Sequence, residues 1–102
     1  MLELRPNCEL CDADLPPRAA NARICTYECT FCADCVDGVL QNVCPNCGGG
    51  FVPRPIRPQG AWRPECGLDF DPPSSVRKRS SRSEGEIRAL TERLRGVPPD
   101  ER

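Results

Sequence analysis

The 102-residue sequence contains no histidine. That removes imidazole as a general base and rules out metal sites of mixed cysteine and histidine ligands. Lysine is almost missing as well, with Lys78 alone beside thirteen arginines, a bias that genomic base composition explains as readily as function. Long apolar runs are lacking: no stretch approaches the ~20 residues that cross a bilayer. Met1 to Cys8 shows neither an apolar segment nor a cleavage-like site, so no signal peptide is expected and a reducing, cytoplasmic setting is. Large apolar side chains are few. The candidate core of the first half is Leu4, Leu10, Leu15, Ile24, Tyr27, Phe31, Val36, Val39, Leu40, Val43, Phe51 and Val52. So small a core seldom holds a domain without a staple.

Cysteine supplies the staple. Eight of the nine cysteines fall between Cys8 and Cys47 as four close pairs, Cys8/Cys11, Cys25/Cys29, Cys32/Cys35 and Cys44/Cys47. Two thiolates separated by a short turn aim at one ion, and four such pairs make two four-sulfur sites, the closed coordination of structural zinc. Two Zn²⁺ per chain are therefore expected, and metal is favoured over disulfides in a reducing compartment. Cys44-Pro45-Asn46-Cys47-Gly48-Gly49 is the most specific local signal, because glycine after the second cysteine lets backbone N–H groups approach the sulfurs. Spacing alone leaves two pairings open. A sequential one joins Cys8, Cys11, Cys25, Cys29 and then Cys32, Cys35, Cys44, Cys47; an interleaved one joins Cys8, Cys11, Cys32, Cys35 and then Cys25, Cys29, Cys44, Cys47.

Composition divides the chain in three. Residues 1–58 are the cysteine-rich module, 59–83 a linker rich in proline, serine and arginine and expected to be disordered, and 84–97 a short amphipathic helix and tail. Residues 1–53 carry seven acids against three bases, whereas residues 54–102 carry eleven bases against eight acids. Within the module, Val36, Val39, Leu40 and Val43 predict a helix over 33–41, weakened by Gly38. Arg23–Tyr27 reads as a strand that could pair with Phe51–Val52, and Asp14–Asn21 as loop. Ser83 and Glu86 form a capping box for a helix bearing Ile87, Leu90 and Leu94, which must dock or fray. The fold class is thus a small metal-stapled α+β module, of RING-like or zinc-knuckle type, with two all-cysteine four-ligand sites, one short helix and a small hairpin. A largely disordered C-terminal extension is expected to follow it.

The ligand order resembles that of the RING finger family over residues 8–47, with a helix between the sixth and seventh ligands, Pro45 after the seventh and Leu10 before the second. That resemblance implies the interleaved pairing. Two positions depart from it: Cys29 stands where histidine is usual, and Gly48 where arginine is frequent. A longer resemblance covers residues 1–58. It runs through Leu2-Glu3-Leu4-Arg5-Pro6-Asn7-Cys8, Asp14-Leu15-Pro16-Pro17, Arg23-Ile24-Cys25, Glu28-Cys29-Thr30-Phe31-Cys32, the Cys44–Gly49 knuckle and Arg54-Pro55-Ile56-Arg57-Pro58. These motifs are similar to a bacterial family of short cysteine-rich proteins designated domain of unknown function twelve seventy-two. The resemblance implies a bacterial cytoplasmic zinc-binding protein.

Function follows less directly. Four-sulfur sites leave no coordination position for water, and the βαβ pattern of thioredoxin-like redox proteins is missing, so no enzyme is expected. An interaction module for an unidentified protein partner is expected, with Leu10, Val39 and Leu40 as its apolar face. The alternatives are zinc buffering or delivery, a RING-type ligase-like adaptor, and an iron–sulfur protein. Cys29, Cys32 and Cys35 copy part of a ferredoxin run, but no cysteine closes it. The anionic module argues against nucleic acid, which Arg77, Lys78, Arg79 and Arg82 could still bind. No membrane contact is expected. Cys66 reads as a free thiol and Trp62 as an anchor onto the module.

Overall fold

A computed structural model describes residues 1–102. Strand β1 (Ala22–Ile24) lies at the centre of a three-stranded antiparallel sheet, between β2 (Thr30–Cys32) and β3 (Val52–Pro53). Ile24 pairs with Thr30 on one side and Val52 on the other, so the expected pairing with the segment around Val52 is present. Strand β2 has no counterpart among the sequence expectations. It is three residues long, lies inside the cysteine run, and is wholly buried, so no alternation marks it.

Helix α1 (Ala33–Asp37) follows β2 directly and is shorter than the 33–41 span expected. Gly38 caps it, its N–H donating to the Asp34 carbonyl, and Gln41 and Asn42 then take left-handed conformations with φ of 47° and 61°. The chain needs that reversal to enter the Cys44 knuckle. Val36, Leu40 and Val43 remain buried across the break, whereas Val39 is 59 % exposed. The apolar periodicity identifies three core residues and overstates the helix.

The core comprises Leu4, Leu15, Phe31, Leu40 and Val43, interleaved with the cysteines. Phe31 meets Phe51 edge-on with ring centroids 5.4 Å apart. Six residues depart from the expected core: Leu10 and Phe51 are only half-buried against this cluster, Ile24 is half-buried too, and Tyr27, Val39 and Val52 are exposed. Arg54 is 4 % exposed, and its guanidinium donates to the carbonyls of Arg5, Leu15 and Pro16. A buried cation survives here because three loop carbonyls accept from it.

The C-terminal extension is ordered, contrary to expectation. Arg57 donates to the carbonyls of Leu2 and Asp71, folding the proline-rich stretch back on the N-terminus. Beyond it, residues 74–83 run as an extended strap over the first cysteine turn. The Ser74 N–H donates to the Leu4 carbonyl and the Ser80 N–H to the Glu9 carbonyl. Buried Asn7 holds Lys78 from both sides, donating to its carbonyl at 2.7 Å and accepting from its N–H at 3.2 Å. Arg77 bridges Asp12 and Asp14. Ser83 and Glu86 then form the expected capping box, and helix α2 (Glu84–Leu94) docks with Ile87 and Thr91 buried, Ile87 within the core cluster. Disorder was expected because the segment carries little apolar surface, but backbone hydrogen bonds and charge complementarity order it instead. Trp62 is 82 % exposed and so anchors nothing onto the module.

Candidate metal centre

Each cysteine pair sits on a backbone feature that turns its sulfurs inward. Around the first, the Cys8 N–H donates to the Ala13 carbonyl and the Asp12 N–H to the Cys8 carbonyl, with Asp12 in the left-handed region at φ 65°. Cys32 closes β2 and caps α1, and Cys35 lies one turn into that helix. Cys25 and Cys29 flank the turn between β1 and β2, where the Cys25 N–H donates to the Cys29 carbonyl. In the last knuckle the Gly48 N–H donates to the Cys44 carbonyl, and Gly48 adopts φ 81°. A side chain there would meet Leu94 Cδ1 at 3.1 Å, so both backbone conformation and the close passage of α2 select glycine.

The structure brings together one interleaved group in full and three members of the other. The sulfurs of Cys8, Cys11, Cys32 and Cys35 lie within 4.8 Å of one another, with Cys11 Sγ 3.7 Å from Cys32 Sγ. A tetrahedron of sulfurs about 2.3 Å from a central zinc has edges of about 3.8 Å. Four sulfurs at this spacing, all free thiols, fit a metal ion. The second group, Cys25, Cys44 and Cys47, meets the same 4.8 Å limit. Cys29, expected as its fourth member, falls outside that mutual set although it is buried nearby.

Electrostatics in the two groups follow from burial and backbone donors. Burial pushes the Cys32, Cys35 and Cys44 thiols up, as exclusion of water disfavours a bare thiolate. Cys11, at the surface, is lowered, chiefly by a hydrogen bond from the Ala13 backbone. The Cys29 thiol is raised, first by burial and further by Cys25 and Glu9, while the Asn46 amide works the other way. N–H groups point at two other sulfurs: Tyr27 donates to Cys25 Sγ at 3.3 Å and Gly49 to Cys47 Sγ at 3.4 Å. Such donors stabilise thiolate charge next to a metal.

Glu9, which no sequence motif singles out, joins these parts. It is 5 % exposed, and its Oε2 accepts from the Thr30 N–H at 2.6 Å and from Arg5 Nη1 at 2.8 Å. Its Oε1 accepts from Asn46 Nδ2 at 3.4 Å. One carboxylate thus ties the first cysteine turn to β2 and to the Cys44 knuckle. Its only signal in the sequence is position, an acid flanked by Cys8 and Leu10.

The apolar face expected on Leu10, Val39 and Leu40 is rearranged. Leu40 is fully buried, and Leu10 and Val39 line a groove of about 490 Å³ whose opposite wall is α2, through Ile87, Arg88 and Thr91. Cys66 is exposed and separate from both sulfur groups. No helix is long and apolar enough to cross a membrane.

A sequence profile described as "Protein of unknown function (DUF1272)" matches residues 1–57, the span that carries both sulfur groups. The chain belongs to the DUF1272 family. An uncharacterized protein of Rhizobium meliloti (strain 1021) is 64 % identical over 58 residues, which are 57 % of this chain and 69 % of that relative. No solved structure matches the chain. The DUF1272 region ends just beyond Arg54, whose side chain closes the module, and the strap and α2 lie outside it.

Proposed function

We propose that the chain is a structural zinc protein whose module serves as a small interaction domain rather than a catalyst. The four-sulfur group of Cys8, Cys11, Cys32 and Cys35 carries this reading, because its spacing matches zinc–thiolate coordination and its burial makes bare thiolates costly. Zinc suits an all-thiolate site without demanding any redox chemistry, and a filled tetrahedron leaves no position for substrate. An interaction role is supported by Val39, exposed beside the groove that α2 completes. Partner recognition would lie on that rim.

Elemental analysis of the purified chain tests the metal. Zinc bound in stoichiometric amount supports the reading; iron with acid-labile sulfide and a brown colour would replace it with an iron–sulfur protein. Zinc delivery is the second reading, and the incomplete grouping of Cys25, Cys44 and Cys47 favours it for that centre.

A further inference from the structure

We propose that the two centres are unequal: the first holds its ion permanently, while the second, built on Cys25, Cys44 and Cys47, is an exchangeable site whose fourth position accepts an incoming thiolate. The inference rests on the zinc reading above and assigns the handling of the ion to one centre only. It begins from the difference between the two sulfur groups. Four sulfurs share the first 4.8 Å set and three share the second. At the first centre, loss of the exposed Cys11 would still leave three ligands, and Cys8 and Cys32 are 0 % and 5 % exposed. At the second, Cys47 is exposed, so only Cys25 and Cys44 hold the ion from the interior.

The backbone on both sides of Cys29 is held in place. The residue after it, Thr30, is clamped on both sides by Glu9: its N–H donates to Glu9 Oε2 at 2.6 Å, and its carbonyl accepts from the Glu9 N–H at 2.9 Å. The residue before it, Glu28, is in the left-handed region at φ 65°. Cys29 is therefore fixed by its backbone, with three residues between it and Cys25 where every other pair is separated by two. The buried Glu9 carboxylate lies on the same side, bonded to Asn46 within the Cys44 knuckle. A fourth sulfur arriving from solvent would approach on the exposed Cys47 side.

Transfer then proceeds by ligand exchange. Each incoming thiolate would form one bond to the ion as one cysteine sulfur, Cys47 first, gives up its own, so that the ion would leave bound to the incoming thiolates. No electron moves, and the displaced thiolates take up protons from water. A small thiol such as glutathione is the simplest donor of this class.

Native mass spectrometry of the zinc-loaded full chain under limiting EDTA tests the proposal. A one-ion species should accumulate, with the second ion leaving about 10-fold more slowly or worse. Added glutathione should speed only the first departure. Cys29→Ser should keep two ions, and Cys44→Ser one. Ions leaving together, or a Cys29→Ser chain holding one ion, would overturn the inequality and leave the zinc reading intact. A chain that binds no metal would sink both. Should Cys29→Ser fail to fold, the time course on the unaltered chain decides alone.

Discussion

The cysteine module and the strap that covers it are held by different forces. In the module, residues 1–58, contacts are specified by local spacing, because a two-residue gap between cysteines allows few geometries around an ion. In the strap and α2, residues 74–94, contacts reach across about seventy positions, as between Asn7 and Lys78, and rest on backbone hydrogen bonds and paired charges. On the proposed metal reading, one region is built by a staple and the other by polar complementarity to the surface that the staple creates. Damage should therefore spread from module to strap and not in reverse.

Substitution of a first-centre ligand should have the largest effect. Cys8→Ser is expected to lose an ion whose binding contributes on the order of 10 kcal/mol to folding. Since Asn7 and Glu9 flank Cys8 and hold the strap, hydrogen exchange should show residues 74–94 opening together with the module. Protection that persists in the strap would break the dependence.

Ile87→Ala comes next, at about 2–4 kcal/mol, because a side chain 5 % exposed leaves a cavity beside the groove that it lines with Leu10, Cys35 and Val39. It should free α2 while metal content stays unchanged, as circular dichroism and elemental analysis would show together. Asn7→Ala should cost about 1–3 kcal/mol, since it removes the two hydrogen bonds that the buried Asn7 side chain makes to the Lys78 backbone. Amide exchange at Lys78 and Ser80 should rise first.

The smallest effect is expected at the helix start. Ser83→Ala removes the hydroxyl that accepts from the Glu86 N–H and should cost about 1 kcal/mol of α2 stability. The Glu86 carboxyl is held below its usual range, first by the Ser83 backbone N–H. A depressed folded-state value means that the carboxylate's contribution is full above the ordinary glutamate range and fades as pH falls through the lowered one. Acidification should thus loosen α2 in the unaltered chain, and Ser83→Ala should keep most of this response, since the backbone N–H that holds the carboxylate remains.

The module is more legible in the sequence than the strap for the same physical reason. Cysteine gaps, the Gly48 turn and the Ser83/Glu86 box are local signals, and each appears where spacing places it. Val36, Leu40 and Val43 are readable as core, but the end of α1 is not, since Gln41 and Asn42 turn left-handed to serve the knuckle. Strand β2 is too short and too buried to alternate. Asn7, Glu9 and Arg54 have no local pattern. Each is a polar side chain buried by partners distant in sequence, which composition counts as surface. The position of the Cys29 sulfur outside the set of Cys25, Cys44 and Cys47 likewise has no signal in the spacing.

The most direct test of a metal-stapled fold is the amide NMR spectrum of the zinc-loaded chain recorded as EDTA is added to excess. Dispersed resonances of the module, Phe31 and Val43 among them, should collapse to unfolded positions, with α2 following. A spectrum that stays dispersed after all zinc is removed would show that the core holds itself and contradict the staple.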